Sequence, residues 1–185
     1  MTNIRQNIIA LVCGGRGTGK STHIKRIVDG HNTKKVLIVD ANDNAIFREF
    51  KPIKPELLKK WKSGKIRIVS DDTDAVFRLI YDNLWNALVI FEDATGYMQF
   101  NMPEIVKKIM LVSKQRNLDL IFTFHSFRNI RPDFFAYSNY LEIFKTGEDI
   151  SQFKNKVPQF ERVIEAKEAV ELHPSKFYHK SVRLS

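Results

Sequence analysis

The most explicit chemistry in this chain lies in Gly14-Gly15-Arg16-Gly17-Thr18-Gly19-Lys20-Ser21. Gly14, Gly19, Lys20 and Ser21 fill the pattern G-x-x-x-x-G-K-[ST]. Each residue type has a physical use there. Glycines allow positive φ and let backbone N–H groups approach phosphate oxygens. Consecutive N–H groups make an anion-binding nest, and a following helix adds the positive end of its dipole. Lys20 is a point charge for the β- and γ-phosphates, and the Ser21 hydroxyl is placed to ligate Mg²⁺. The expected ligand is ATP with Mg²⁺, held by residues 14–21, Arg16, Gly17 and Thr18 among them, and by Thr22.

A second chemical stretch is Ala87-Leu88-Val89-Ile90-Phe91-Glu92-Asp93, an apolar run ending in two acids. Downstream of a phosphate loop this has the form of a Walker B motif. Glu92 is expected to hold the metal with Ser21, and Asp93 to orient or activate an attacking water. Leu118 to Phe124 is another apolar run, ending in His125-Ser126. His125 reads either as a γ-phosphate sensor or as a histidine at the edge of the core. Arg116 closes a basic segment containing Lys107, Lys108 and Lys114.

These residues need elements to position them. Ile8 to Cys13 reads as a buried strand, and Thr22 to Val28 as a helix with apolar residues three and four apart. Lys35 to Asp40 is a second buried strand followed by Ala41-Asn42-Asp43-Asn44, a turn-rich cluster. Asp40 and Asn42 read as turn and capping residues or as the border of the site, with turn and cap preferred. Pro55 to Trp61 reads as a short helix, and Lys65 to Val69 as a strand with one face exposed. The acids of Asp71-Asp72-Thr73-Asp74 cap a helix through Trp85, whose apolar stripe is Val76, Phe77, Ile80, Tyr81 and Leu84. Thr95 to Met98 reads as a loop leading away from the site. Pro103 to Gln115 is a helix with Ile105, Ile109 and Val112 inward. Phe127 to Asp133 is a loop, Tyr140 to Lys145 a strand, and Val157 to Val170 a helix. The tail from Leu172 to Arg183 is basic and aromatic, either an edge strand or a partner contact.

The expected fold is α/β, a three-layer P-loop sandwich with a mostly parallel central sheet. The 185 residues suit a single domain, with a core over about residues 7–146 and a helix and basic tail over 147–185. Hydrophobic content of 43% and charged content of 28% are ordinary for a globular chain. No apolar run approaches the ~20 residues that span a bilayer, and Met1 to Asn7 has no signal-peptide character. The single Cys13 falls in a core strand and reads as a small buried apolar residue. Thirty Lys and Arg against 21 Asp and Glu leave a formal charge of +9. That excess suits a polyanionic partner, or a solvated basic surface.

The order of motifs resembles the FtsK–HerA superfamily of DNA-pumping ATPases, and within it the genome-packaging ATPases of tailless double-stranded DNA viruses. The resemblance spans about residues 7–146. It rests on the phosphate loop, the strand ending at Asp40, the strand ending Glu92-Asp93, and Lys114-Gln115-Arg116-Asn117-Leu118 through His125. It implies a homo-oligomeric ring that binds ATP between neighbours and translocates double-stranded DNA. It also implies a capsid vertex protein as a possible partner, and a place in the host cytoplasm or the virion. Arg116 then matches the arginine that acts on a neighbour's γ-phosphate, with Arg128 and Arg131 behind it, and His125 matches the sensor. Two residues depart from the family pattern. Its acids usually run Asp then Glu, and its sensor is commonly Gln or Asn.

Two other readings stay open. One is a virion-assembly or secretion ATPase like the zonula-occludens-toxin group, although that group usually carries a membrane segment. The other is a small-molecule nucleotide kinase, for which Phe127 to Pro132 is the one candidate lid. Asn155-Lys156-Val157-Pro158 lacks the final Asp of a guanine-recognition motif, which argues against a GTPase switch.

Overall fold

The structure, a computed structural model, describes residues 7–98 and 102–185. Residues Met1 to Gln6, part of the segment read for signal-peptide character, lie outside them.

The molecule is built on an eight-stranded sheet. Its strands are β1 (Ile9–Cys13), β2 (Lys35–Asp40), β3 (Lys51–Pro52), β4 (Gly64–Ile68), β5 (Ala87–Glu92), β6 (Leu118–Phe124), β7 (Tyr140–Phe144) and β8 (His179–Arg183). Their spatial order is β3-β4-β2-β5-β6-β1-β7-β8. All pairings are parallel except β7 with β8. Parallel strands covered on both faces read as continuous apolar runs, which is why β1, β2, β5 and β6 were legible.

Helices lie on both faces. α1 (Lys20–Gly30) covers one face with Ile24 and Val28, joined by Phe47 and Phe50 from the segment after β2. α2 (Thr73–Asn83), α3 (Glu104–Arg116), α4 (Pro132–Tyr137) and α5 (Phe160–Leu172) cover the other. The alternation of β1 decides this division: Leu11 and Cys13 belong to the larger cluster, Ala10 and Val12 to the α1 side. Phe91 and Phe122, neighbours on β5 and β6, stack at 4.5 Å and anchor the larger layer. The α/β sandwich with a mostly parallel sheet is therefore as expected.

The short helix expected from Pro55 is present, as the 3-10 helix Pro55–Lys60. Several local expectations need correction. β4 is not half exposed: Ile66, Arg67 and Ile68 are all buried, because the Arg67 guanidinium ends between Asp40 at 3.4 Å and Asp43 at 2.5 Å. α3 is turned slightly from its expected phase. Val106, Ile109, Met110 and Ser113 are buried, while Ile105 and Val112 are only partly so. Residues 132–137 form the short α4 rather than part of a loop. Cys13 is fully buried, and burial pushes its thiol pKa well up, as suits an inert core residue. Asp72 caps α2 by accepting the Ala75 N–H at 3.0 Å. The tail returns as the antiparallel edge strand β8.

Candidate nucleotide site

The site lies beyond the carboxyl ends of the parallel strands, where open α/β sheets bind ligands. β6 sits between β1 and β5. The residues at its end therefore stand between the glycine loop, which follows β1, and the acids, which end β5.

The loop is fixed by backbone. Gly14 N–H donates to Phe124 O at 3.2 Å, and Gly15 N–H to Lys145 O at 2.7 Å. A Cβ on Gly14 would meet the Phe144 Cβ at 2.5 Å, so only glycine lets the loop pass β7. Gly19 has φ 95° and caps α1 with no side-chain hydrogen bond. The first-turn N–H groups of α1 thus have no capping side chain, and no acid stands in that turn. Both features leave the helix terminus suited to an anion.

Lys20 Nζ donates to the carbonyls of Gly14 at 2.6 Å and Gly15 at 2.8 Å, and lies 3.2 Å from His125 Nδ1. Burial lowers the Lys20 pKa, against the opposing pull of nearby Cys13, Glu92 and Asp93. Ser21 Oγ donates to Glu92 Oε1 at 2.8 Å. Glu92 is buried, and burial raises its pKa despite hydrogen bonds from Ser21 and Thr123. Thr123 Oγ1 donates to Glu92 Oε2 at 2.9 Å and accepts the Asp93 N–H at 2.7 Å. One hydroxyl on β6 therefore orients both acids.

Asp93 adopts the left-handed conformation, φ 48° and ψ 54°, which turns the chain away from the strand direction. Asp tolerates this better than most residues, and the conformation still carries strain of the kind found at working sites. Its Oδ2 accepts from Asn42 Nδ2 at 2.8 Å, and its Oδ1 lies 3.4 Å from His125 Nε2. Burial alone would raise the Asp93 pKa. His125, Thr95 and Arg16 together outweigh it and hold the carboxyl below its ordinary value, so Asp93 is ionised at neutral pH.

A cavity of about 700 Å³ joins these groups, lined by the loop, Asp93 and His125. Arg16, Gly17, Gly19, Lys20, Ser21 and Thr22 all line it, and Thr18 braces the loop by donating to Gly15 O at 2.8 Å. Asn42 and Asn44 line it too. Asn44 Nδ2 donates to Glu92 Oε1 at 3.1 Å and Ser21 Oγ at 3.3 Å. Asp40 is the turn residue it was expected to be, accepting the Asn44 N–H at 2.9 Å, whereas Asn42 borders the site. The expectation for Thr95 to Met98 is overturned. Thr95 and Gly96 line the cavity, and the hydroxyl of the partly buried Tyr97 donates to Glu92 O at 3.1 Å.

Arg116 is not brought to this chain's own site. As the last residue of α3 it lies at the opposite end of the sheet, next to the start of β5. Its guanidinium packs over Tyr81 at 4.6 Å and Trp85 at 5.1 Å and donates to Tyr81 O. Arg128 and Arg131 are exposed in the segment after His125. Sequence reasoning missed Thr123, Asn44 and Thr95. Thr123 is one polar residue in an apolar strand, two before His125, and that was the available signal.

The donor set fits Mg²⁺: a hydroxyl and a carboxylate oxygen stand 2.8 Å apart at the mouth of a phosphate-shaped loop. The fold and loop together define a P-loop nucleotide-binding architecture. No protein-family model matches the chain, and no curated protein does. Solved structures do. The genome-packaging NTPase B204 from Sulfolobus turreted icosahedral virus 2, in complex with sulfate, aligns at TM-score 0.78 and 14% identity over 98% of this chain and 93% of that one. The cytoplasmic domain of the type VII secretion ATPase EccC from Thermomonospora curvata aligns at 0.65 and 12%, over 98% of this chain and 25% of that one. The N-terminal domain of zonular occludens toxin from Neisseria meningitidis aligns at 0.55 and 12%, over 98% and 96%. The chain shares the P-loop ATPase fold with them.

Thr123→Val should leave the buried Glu92 carboxylate one donor short and strand the Asp93 N–H. The expected loss is about 1–3 kcal/mol in denaturant unfolding. Thr123→Ser should recover most of it, and a Val variant as stable as wild type would show that the hydroxyl is dispensable.

Proposed function

We propose that this chain is an ATP-hydrolysing motor that moves or packages double-stranded DNA, working as a ring. The observation that carries the ATPase reading is the convergence of Lys20, Ser21, Asp93 and His125 on one cavity, with Glu92 held against Ser21 beside it. Lys20 would exchange the Gly14 and Gly15 carbonyls for phosphate oxygens. Ser21 and Glu92 would hold Mg²⁺, which when bound neutralises charge on the β- and γ-phosphates. Asp93, ionised and held by Asn42, accepts a proton from water as its oxygen bonds to the γ-phosphorus. The bond from that phosphorus to the β–γ bridging oxygen breaks, giving ADP and phosphate. His125, between Lys20 and Asp93, is placed to register whether the γ-phosphate is present.

The DNA reading is supported by the net charge of +9 and by the B204 alignment, which covers nearly the whole of both chains. The kinase reading is weakened by the segment proposed as its lid. Ser126 Oγ and the Phe127 N–H both donate to Glu148, at 2.5 and 2.9 Å, which ties that segment to the connection after β7. Among the described residues no helix is long and apolar enough to cross a membrane.

Lys20→Ala should abolish hydrolysis and weaken ATP binding. Glu92→Gln should lose Mg²⁺-dependent turnover, and Asp93→Asn should bind ATP but turn it over slowly. Steady-state kinetics and calorimetry check this, and an unchanged kcat in Asp93→Asn would move the water role elsewhere.

DNA binding should be almost independent of sequence and fall steeply with salt, with a log–log slope of about −0.9 per phosphate contacted on duplex DNA. Fluorescence titration at several salt concentrations checks this. A flat response would count against a translocating motor.

The resemblance assigns the trans-acting cation to Arg116. That guanidinium would have to leave its contacts with Tyr81 and Trp85, whereas the exposed Arg128 and Arg131 would not. Mixing Arg116→Ala with Lys20→Ala decides the matter: a trans role restores part of the activity in mixed rings. Co-assembly without recovery would shift the role to Arg128 or Arg131.

A further inference from the structure

The direction of a bound triphosphate follows from the groups around it. Asp93, Thr95 and His125 mark the end where the γ-phosphate is attacked. The α1 N-terminus, with Ser21 and Thr22, grips the phosphates behind it. The nucleoside therefore leaves the cavity past Gly19 and Thr22, on the side away from Asp93.

A second concavity of about 240 Å³ opens there and shares Gly19, Thr22 and Phe177 with the first. Phe177 is 58% exposed, unusual for a phenylalanine in this chain, where most are buried. Its ring edge comes within 3.0 Å of where a Gly19 Cβ would be, so it stands directly over the loop. The position is built. The Phe177 N–H donates to Ser175 Oγ at 3.2 Å, Tyr178 stacks on His173 at 3.9 Å, and Lys145 Nζ donates to His173 O at 2.5 Å. β8 begins two residues later and anchors the segment to β7.

The rest of the concavity is flat and aromatic. His179 stacks on Phe144 at 4.7 Å and lies 4.3 Å from His23. Burial, with the charges of His179 and Arg26 acting the same way, lowers the His23 pKa to about 4, so that ring is neutral at pH 7. His23, Glu142 and His179 also bring ligand atoms within 4.8 Å of one another. Arg26 at the wall of the concavity supplies donors that acceptors on a base edge can meet.

Resting on the nucleotide reading above, we propose that this concavity is the nucleobase subsite, with Phe177 as the platform on which a purine stacks. The C-terminal tail thereby becomes part of the nucleotide site, and the affinity of the protein separates into a triphosphate part and a base part.

The test compares ATP with inorganic tripolyphosphate by isothermal titration calorimetry, using the full chain. Phe177→Ala should weaken ATP binding by roughly tenfold, the scale of one base–aromatic stack, and leave tripolyphosphate binding unchanged. Phe177→Tyr should bind ATP like wild type, and Lys20→Ala should weaken both ligands. Thermal melts confirm that each variant folds. Unchanged ATP binding in Phe177→Ala overturns the proposal, as does an equal loss for both ligands, which would mean that the ring only props the loop. Both results leave the nucleotide reading standing. Failure of the wild-type protein to bind either ligand overturns both.

Discussion

A buried carboxylate at the tip of a hydrophobic strand is the constraint on which the rest of this structure depends. Glu92 stands at the end of β5 with burial pushing its pKa up, and such a group is costly unless its oxygens are hydrogen-bonded. Its donors come from three other places: Ser21 at the start of α1, Asn44 after β2 and Thr123 on β6. These donors are far apart in sequence and meet only when the strands pair in the observed order. Satisfying one carboxylate thus fixes the loop, the turn and β6 relative to one another. Two of those donors, Ser21 and Asn44, also line the cavity, so the energetics of the sheet end and the geometry of the site are one network.

The position of β6 gives that network its shape. Had β5 paired directly with β1, the acids would lie against the loop with nothing between them. With β6 inserted, Thr123 reaches sideways to both acids and His125 reaches both Lys20 and Asp93. The glycine loop, His125 and the acids then lie along a single line of strand ends.

Much of this was legible because buried parallel strands are continuous apolar runs and the glycine loop has a pattern with a mechanism behind it. Legibility failed where tertiary partners decide the outcome. Arg67 looked like the exposed side of an alternating strand, and only the folded chain supplies Asp40 and Asp43 to bury it. Thr123 carries only a weak local sign of its role, since a β-branched polar residue also suits a strand by propensity alone. The segment from Thr95 to Tyr97 looked like an exit. The left-handed turn at Asp93 folds it back over the site instead, and one residue's φ is not readable from composition. The tail was undecided for a related reason: Phe177 acquires meaning only through its placement above Gly19.

The two departures from the family pattern fit together physically. An aspartate in place of a glutamate at position 93 is one methylene shorter, which on its own would leave the carboxylate further from a water at the γ-phosphate. The left-handed backbone at Asp93 lifts the residue out of the strand line, and Asn42 holds one oxygen at 2.8 Å. A histidine in place of an amide at position 125 is a rigid ring with a nitrogen at each end of its reach, 3.2 Å from Lys20 on one side and 3.4 Å from Asp93 on the other. The ring reaches Asp93, and with Thr95 and Arg16 it offsets the burial that would otherwise raise that acid's pKa. The acid at 93 and the ring at 125 are therefore coupled by contact, and through the ring the acid is coupled to Lys20.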